Sequence, residues 1–311
     1  MNSNDLFSNV AEFPDPVAQG RLASLVGIDE IKRQVIAEAT LLLDPSTVEK
    51  WCVKHHGAIF RAVDEVKQRT PLLVFEGDVG TGKTELAETF SDAVARSMRV
   101  EVTLYSLSLS ARGKGAVGEM TSLLTSAFAE VSSTASKARD SSGRVRRGVV
   151  LLVDEADALA QSRELAQMHH EDRAGVNALI RGIDQLRNEQ LPVLTLLCTN
   201  RIGALDPAVL RRAAGVFQFA RPNGLQRTQL LEVLLEGIGL SDQEMEKLVA
   251  LTNATSSRSY GCSYSDLRQR LVPQAVLDAM SRDVPLSGKL LIDHAETFEP
   301  TRPFGTPDDV G

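Results

Sequence analysis

Short apolar runs alternate with longer amphipathic segments in the first two thirds of the chain. Five runs have the length and composition of buried strands, at residues 72–76, 100–106, 149–153, 193–199 and 216–219. Between them, apolar residues recur with helical spacing at residues 84–98, 118–137, 172–187 and 207–212. Strands that alternate with helices in this way predict a parallel sheet with helices packed on its faces. The predicted fold class is therefore α/β, built on a five-stranded parallel sheet.

The strand pattern ends near residue 222. Beyond it, amphipathic helices are predicted at residues 225–235, 241–252 and 265–280. This change in pattern predicts a boundary between an α/β domain and a small all-helical one. Four segments are expected: an N-terminal linker with helices at 1–70, a large α/β domain at 71–222, a small helical lid domain at 223–290, and a tail at 291–311 that is a candidate for disorder.

The composition is that of a soluble protein. The 311 residues are 43% apolar and 24% charged, which suits one large domain with a smaller one. A net charge of −7 argues against a general nucleic-acid binder. Three widely separated cysteines, no signal-like N-terminus and no membrane-length apolar run predict a cytoplasmic protein with reduced thiols.

One loop, at residues 77–84, carries the pattern Gly-x4-Gly-Lys-Thr between a predicted strand and a predicted helix. Its glycines let backbone N–H groups surround a phosphate, and the helix N-terminus adds a favourable dipole. Lys83 is expected to neutralise phosphate oxygens, and the Thr84 hydroxyl to bind Mg²⁺. A chance match in a glycine-rich turn is the alternative, which the flanking strand and helix oppose. The predicted nucleotide contacts are Gly77, Asp78, Val79, Gly80, Thr81, Gly82, Lys83, Thr84 and Glu85.

The strand predicted at 149–153 is followed by two carboxylates, Asp154 and Glu155. A parallel strand delivers its C-terminal residues to the edge of the sheet where phosphate binds. Asp154 is then placed to hold Mg²⁺ through water, and Glu155 to orient and deprotonate the attacking water. Taken alone, the pair could be an acidic helix cap after a core strand. Together with the phosphate loop, it predicts hydrolysis of a nucleoside triphosphate.

From about residue 25 to residue 280, the chain resembles the AAA+ ATPase superfamily of P-loop NTPases. The run that ends at Asn200 is similar to the sensor-1 strand, which implies that Asn200 hydrogen-bonds the lytic water or the γ-phosphate. The Leu-Asp-Pro-Ala-Val-Leu-Arg-Arg run is similar to the segment that carries the arginine finger. The resemblance implies that Arg212, with Arg211 as the second choice, reaches the ATP of a neighbouring subunit. Gly215 stands where other members carry a further arginine.

Two more nucleotide contacts are implied by the resemblance. Gly27 lies in a stretch similar to the one whose backbone contacts adenine; a simple helix entry near Asp29 is the alternative. Close relatives carry a sensor-2 arginine at the position of Ser265. Arg268, three residues later on the same face of an α-helix, could replace it or could be a surface residue.

Within the superfamily, the chain resembles the pachytene-checkpoint-type remodellers, which act on HORMA-domain proteins. The similar runs are at residues 154–159, 173–186 and 261–268. About 70 residues precede the phosphate loop, which leaves room for a helical linker and not for the adaptor domain of eukaryotic members, so the chain resembles the bacterial relatives from antiphage nucleotide-signalling operons. The resemblance implies a hexameric ring that uses ATP and Mg²⁺ to remodel a HORMA-domain protein. That protein activates a cyclic-oligonucleotide synthase, which the ATPase would switch off.

The loop predicted to grip the substrate departs from the family pattern. Ala116, Val117 and Gly118 stand where remodellers commonly carry an aromatic residue, so gripping would rest on Val117; a flexible loop without that role is the alternative. His169 and His170 lie where a second pore loop is expected, or else form part of a solvated helix cap.

Other function classes make different demands on the sequence. A DNA-processing AAA+ motor, such as a loader or a helicase, would show a basic face or an appended DNA-binding module, and neither is found. A nucleotide-binding scaffold without turnover would not need Glu155 or Arg212. A remodeller of a protein partner is therefore the favoured interpretation, and neither a membrane nor a nucleic acid is the expected partner.

Overall fold

The computed structural model describes residues 6–109, 118–161, 169–201, 203, 205–256 and 258–304. It divides into two compact units. The sheet unit consists of Met1–Ser24, Glu30–Glu76 and Thr84–Gln218, and the helical unit consists of Leu25–Asp29, Gly77–Lys83 and Phe219–Gly311. The division of the sequence into four segments stays a prediction.

Six strands form one mixed sheet. They are β1 (Asn9–Phe13), β2 (Leu72–Gly77), β3 (Glu101–Ser108), β4 (Arg147–Asp154), β5 (Val193–Thr199) and β6 (Gly215–Phe219). Their order in the sheet is β1-β3-β4-β5-β2-β6. Neighbours from β3 to β2 run parallel, which confirms the predicted parallel core, whereas β1 runs antiparallel to β3.

The prediction of five strands was wrong by one, because β1 carries no apolar run. Only Phe13 of its five residues is buried. The strand forms by pairing along the edge of β3, from Asn9 opposite Ser106 to Phe13 opposite Val102. Such pairing satisfies the backbone groups of an edge strand whatever its side chains. A pattern of local hydrophobicity therefore could not detect it.

Helices connect the strands. They are α1 (Pro16–Ala23), α2 (Asp29–Leu43), α3 (Ser46–His56), α4 (Ala62–Lys67), α5 (Lys83–Met98), α6 (Glu119–Ala135), α7 (Ala158–Gln161), α8 (His169–Asn188) and α9 (Pro207–Leu210). The central strands β2 and β5 are buried along their whole length, as expected for strands covered on both faces. Helices α6 and α8 approach closely, since a Cβ on Gly182 would lie 2.3 Å from the Phe128 ring.

The helical unit is built from α10 (Gly224–Leu234), α11 (Asp242–Leu251), a π-helical turn (Asp266–Leu271), α12 (Val272–Ser281) and α13 (Gly288–Thr297). Asn223 and Ser241 begin α10 and α11 with capping boxes, which satisfy two N–H groups at the start of each helix. Its core consists mainly of leucines from α10, α11, the π-helical turn and α13, together with Val272 and Ala275 of α12. Of the described residues, none belongs to a helix long and apolar enough to cross a membrane.

Part of the predicted C-terminal tail is structured. Helix α13 extends into it, with Leu291, Ile292 and Ala295 buried. The next residues are held at Thr301, whose hydroxyl donates a 2.6 Å hydrogen bond to the Asp266 carboxylate. Residues 305–311 lie outside the described part of the chain.

Candidate active site

The phosphate loop of the helical unit has a backbone that requires its glycines. Gly77, Gly80 and Gly82 have φ angles of 148°, 73° and 95°, a region that side chains disfavour. A Cβ on Gly77 would also lie 2.0 Å from the Phe219 carbonyl oxygen. The glycines of the loop therefore have a conformational cause at all three positions and a steric cause at Gly77 and Gly80, where a Cβ would lie 2.7 Å from Ser263 Oγ.

The loop folds around one carbonyl group. The Asp78 carbonyl oxygen accepts hydrogen bonds from Lys83 Nζ and from the Thr81 hydroxyl, both at 2.7 Å. Lys83 and Thr81 are buried. The Lys83 ammonium group is therefore already inside the loop, at the end where α5 begins, and its charge suits an anionic ligand.

An ion pair anchors the loop, and the sequence did not predict it. Arg221 Nε donates a 2.6 Å hydrogen bond to Asp78 Oδ2. Arg221 Nη1 donates to the Gly261 carbonyl oxygen at 2.7 Å, and the guanidinium group lies 5.1 Å from the centre of the Tyr260 ring. Both charged side chains are largely buried, with exposed fractions of 12% for Arg221 and 18% for Asp78. Arg221 follows β6 by two residues, and no motif marks it.

In the sheet unit, Thr84 lies next to Asp154; their role as magnesium ligands stays a prediction. The Thr84 hydroxyl donates a 3.2 Å hydrogen bond to Asp154 Oδ2. Asp154 is the last residue of β4, and Thr84 stands in the first turn of α5. Since Lys83 and Thr84 are consecutive residues, this pair continues directly from the phosphate loop along the chain.

Glu155 is held in an unusual conformation beside this pair. Its φ angle is 55°, and its N–H group donates a 2.9 Å hydrogen bond to Asp154 Oδ1. The Ser108 hydroxyl, at the end of β3, donates to Glu155 Oε2 at 3.2 Å. Backbone strain of this kind in a non-glycine residue is typical of functional sites. Ser108 was missed because its position opposite Asp154 depends on the pairing of β3 with β4.

A second carboxylate fixes the end of β5. Asp157 is buried, and its Oδ1 accepts hydrogen bonds of 3.3 Å from the Asn200 N–H group and from the Thr199 hydroxyl. The Ala156 N–H group also donates to the Cys198 carbonyl oxygen at 2.8 Å. The segment after β4 is thereby hydrogen-bonded to the end of β5 and to the backbone N–H group of Asn200, the predicted sensor residue. Asp157 lies in the run at residues 154–159 that carries the family resemblance, but its role became visible only in the structure.

Known proteins that are similar to this chain belong to the family that its motifs resemble. A model of the ATPase family associated with various cellular activities (AAA) matches residues 73–221. CD-NTase-associated protein 6 of Escherichia coli strain MS 115-1 is 52% identical over 276 residues, which are 89% of this chain and 89% of that protein. The chain belongs to this family of AAA ATPases.

Two solved structures are similar to this AAA ATPase over nearly its whole length. A chain in the structure of the E. coli MS115-1 HORMA:CdnC:Trip13 complex has a TM-score of 0.89 at 48% identity, covering 98% of this chain and 99% of that chain. Rhizobiales Trip13 has a TM-score of 0.75 at 41% identity, covering 96% and 100%. The resemblance inferred from the motifs, to AAA+ ATPases and to their bacterial remodelling branch, is confirmed.

Arg212 of this AAA ATPase is held by its own subunit. Its Nε and Nη2 donate to the two carboxylate oxygens of Asp184 at 3.0 and 3.1 Å, and its Nη1 donates to the Ala208 carbonyl oxygen at 3.0 Å. The hydrogen bonds with Asp184 raise the pKa of Arg212. Arg211, the second choice for the finger, is exposed. The role of Arg212 as an arginine finger for the ATP of a neighbouring subunit stays a prediction. In that role, Arg212 would have to release Asp184.

Glu85 is occupied by another contact. Both of its carboxylate oxygens accept 2.8 Å hydrogen bonds from Arg21, which also bonds Glu88 at 2.7 Å. These contacts raise the pKa of Arg21. A contact of Glu85 with nucleotide, which stays a prediction, would therefore have to use its backbone or disturb this ion pair.

The backbone of Gly27 is confined within the helical unit. Its φ angle is 79°, and a Cβ would lie 2.9 Å from the Tyr264 hydroxyl. Gln226 Nε2 donates a 2.6 Å hydrogen bond to the Gly27 carbonyl oxygen. Only a glycine fits here, which is compatible with a close approach of its backbone to a ligand. Its contact with adenine stays a prediction.

The predicted sensor-2 region has a different helical form from the one assumed. Residues Asp266–Leu271 form a π-helical turn, in which the hydrogen bonds skip one residue more than in an α-helix. In an α-helix, residues three positions apart share a face, and this is the basis for expecting Arg268 to replace a sensor-2 arginine at the position of Ser265. In the π-helical turn, the same spacing does not put Arg268 on the face of Ser265. The Ser265 N–H group itself donates to the Gly80 carbonyl oxygen of the phosphate loop at 3.1 Å. Arg268 as a nucleotide contact stays a prediction.

The predicted pore-loop residues Ala116 and Val117 lie outside the described residues. Gly118, which begins the described segment after them, has a φ angle of 82° and directly precedes α6. His169 and His170 form the first residues of α8. The gripping roles of both segments stay predictions.

Proposed function

We propose that this AAA ATPase hydrolyses ATP with Mg²⁺ in a hexameric ring and uses the cycle to remodel a protein partner. The observation that carries the proposal is the hydrogen bond between Thr84, the last residue of the Gly-x4-Gly-Lys-Thr motif, and Asp154, the last residue of β4, because P-loop ATPases hold Mg²⁺ with residues of these two kinds. Glu155 follows at once, in a strained conformation that keeps its carboxylate beside Ser108.

The residues present suit a magnesium ion. Mg²⁺ prefers oxygen ligands, and it is usually held by one or two protein side chains together with substrate phosphates and water. Thr84 Oγ1 and Asp154 Oδ2 are two such oxygens at neighbouring positions. When bound, the ion would neutralise charge on the β- and γ-phosphate oxygens.

Side chains of the protein would bind the phosphates, activate the attacking water and stabilise the transition state. Lys83 would exchange its hydrogen bond with the Asp78 carbonyl oxygen for phosphate oxygens of ATP. Glu155 would accept a proton from the water that attacks the γ-phosphorus, while the bond to the leaving oxygen of ADP breaks. Ser108 would keep the Glu155 carboxylate in position. Asn200 would orient the water, and Arg212 of a neighbouring subunit would stabilise charge in the transition state.

For the partner, we propose a HORMA-domain protein bound to a nucleotide cyclase. Support comes from the chain in the HORMA:CdnC:Trip13 complex, which is 48% identical, and from the CD-NTase-associated relative, which is 52% identical. Remodelling of the HORMA-domain protein would release it from the cyclase and so stop cyclic-oligonucleotide synthesis. The expected setting is bacterial antiphage defence.

Hydrolysis is tested with Glu155→Gln. This variant should bind ATP like the wild type and lose about 10²- to 10⁴-fold in turnover, because the general base is removed and the charge contacts with nucleotide remain. Phosphate release and fluorescent-nucleotide binding measure the two properties. Glu189→Gln, at an exposed position after α8, is the matched control and should hydrolyse normally. Wild-type turnover in Glu155→Gln would remove Glu155 from the mechanism.

The partner is tested by reconstitution with the HORMA-domain protein and the CdnC protein of the E. coli MS115-1 HORMA:CdnC:Trip13 complex. The wild type should reduce synthesis of the cyclic product in an ATP-dependent manner, and Glu155→Gln should not. A DNA-processing motor would instead show turnover stimulated by DNA and not by the HORMA-domain protein. That result would contradict the proposed partner while leaving the ATPase activity intact.

A further inference from the structure

The phosphate loop contains an acidic side chain at its second position, Asp78. A carboxylate in a loop that binds a polyanion opposes binding, because like charges repel strongly where water is partly excluded. The same residue supplies the carbonyl oxygen that accepts from Lys83 and Thr81, so its placement also sets the shape of the loop. A compensating group for this charge is therefore expected.

Arg221 supplies that compensation. Its Nε lies 2.6 Å from Asp78 Oδ2, and the pair is largely buried. The guanidinium group is itself fixed by the Gly261 carbonyl oxygen and by the face of the Tyr260 ring. Three contacts in different directions leave the arginine little freedom, so its positive charge stays beside Asp78.

Two backbone N–H groups complete the cradle around the other carboxylate oxygen. Val79 donates to Asp78 Oδ1 at 2.7 Å, and Phe304 donates to the same oxygen at 3.2 Å. The carboxylate is therefore turned towards Arg221 and these N–H groups by specific hydrogen bonds. This orientation fixes the peptide that carries the Asp78 carbonyl group.

We infer that Arg221 is a positioning residue of the nucleotide site: it cancels the charge of Asp78 and holds the first turn of the phosphate loop in its binding conformation. This inference rests on the proposed binding of ATP. Arg221 acts through Asp78 and takes no part in the chemical step. Its loss should therefore weaken the affinity for ATP and leave turnover at saturating ATP within about twofold of the wild type.

The decisive experiment uses four variants and measures the Kd for a fluorescent ATP analogue together with KM and kcat. Arg221→Met should raise Kd and KM by about tenfold, because it leaves a largely buried carboxylate uncompensated beside an anion. Arg221→Lys, which keeps the charge, should bind within about threefold of the wild type. Asp78→Asn should bind ATP at least as tightly as the wild type, because it removes the repulsion and keeps hydrogen-bonding capacity.

The double variant Asp78→Asn/Arg221→Met separates charge compensation from simple loss of packing. If Arg221 acts through the charge of Asp78, the double variant should recover most of the affinity that Arg221→Met loses. A double variant that binds as weakly as Arg221→Met would overturn the inference. So would an Asp78→Asn variant that binds tenfold more weakly than the wild type; this second result remains informative if Arg221→Met does not fold.

Arg282→Met is the matched control. It breaks an ion pair with Asp278 in the same unit, at an exposed arginine directly after α12, and it should leave nucleotide affinity unchanged. Thermal unfolding without nucleotide shows whether each variant is folded. A wild-type protein that binds no ATP analogue would contradict the proposed function itself. A wild type that binds tightly, together with an Arg221→Met variant that binds equally well, would contradict this inference alone.

Discussion

The Thr84 hydroxyl lies 3.2 Å from the Asp154 carboxylate and donates a hydrogen bond to it. The two residues are far apart along the chain, and the contact brings the first turn of α5 to the end of β4. An oxygen pair of this kind is what a magnesium ion held jointly by protein and nucleotide would use.

Substitution of Thr84 by valine should therefore raise the Mg²⁺ concentration that gives half-maximal hydrolysis, by about tenfold, since an oxygen ligand is replaced by a methyl group of similar size. Titration of turnover with MgCl₂ at fixed ATP measures the effect. Thr125→Val, at an exposed threonine of α6 whose hydroxyl donates to the Thr121 carbonyl oxygen of the same helix, is the control. Identical titration curves for Thr84→Val and the wild type would exclude Thr84 as a ligand.

Ser108→Ala should lower kcat about tenfold with little change in KM, because a hydrogen bond to a charged group is lost at the Glu155 carboxylate. Steady-state kinetics separate the two parameters. Ser106→Ala is a control on the same strand, since the Ser106 hydroxyl has no hydrogen-bond partner among the described residues. An equal effect of both substitutions would indicate a general disturbance of β3 and not a specific role of Ser108.

Arg212→Ala should reduce turnover by about 10³-fold or more while nucleotide affinity is retained, as expected for an arginine that acts on a neighbouring subunit's ATP. Mixing Arg212→Ala with Glu155→Gln subunits should restore some hydrolysis. Some interfaces then combine the intact Glu155 of an Arg212→Ala subunit with the intact Arg212 of a Glu155→Gln neighbour. Arg211→Ala, at the exposed neighbouring arginine, is the matched comparison. Normal turnover in Arg212→Ala with loss of turnover in Arg211→Ala would transfer the role to Arg211.

Gly77→Ala should lower the free energy of unfolding by about 3 kcal/mol and abolish nucleotide binding. The added methyl group would lie 2.0 Å from the Phe219 carbonyl oxygen, and the φ angle of 148° is strained for alanine. Chemical denaturation and nucleotide titration measure the two effects. Gly224→Ala, where a Cβ meets nothing within 4 Å, should leave both properties unchanged. A stable Gly77→Ala variant that binds ATP would contradict the assigned loop geometry.

The buried Asp266 carboxylate should make stability depend on pH in the acidic range. Burial by itself would raise its pKa, but hydrogen bonds from Thr301 and Ser263 hold the pKa below the ordinary value of 3.8. A carboxyl group whose pKa is lower in the folded state adds stability that is fully present above pH 3.8 and is lost as the pH falls through the folded value.

The melting temperature of the wild type should therefore fall more steeply below about pH 4 than that of Asp266→Asn, which lacks this titration. Thermal unfolding between neutral pH and about pH 3 measures the difference. Asp293→Asn, at an exposed position of α13, is the control and should follow the wild type. Parallel curves for the wild type and Asp266→Asn would show that the Asp266 carboxylate does not make stability depend on pH.

Local pattern alone determined much of the fold and half of the site. The four inner strands, β2 to β5, could be predicted because strands buried on both faces must be apolar along their length. The phosphate loop could be predicted because its chemistry lies in eight consecutive residues. Asp154 and Glu155 could be predicted because they end a buried strand, and parallel strands bring their ends to one edge.

Only the tertiary structure decided the remaining contacts. Strand β1, the Ser108–Glu155 hydrogen bond and the Asp78–Arg221 ion pair all join residues distant in sequence. Each depends on strand register or on the path of a connecting segment. The order of polar and apolar residues along the chain does not specify either of these. The sequence by itself determined which chemical groups the site contains, and the packing of distant segments determined which of them compensate, orient and restrain one another.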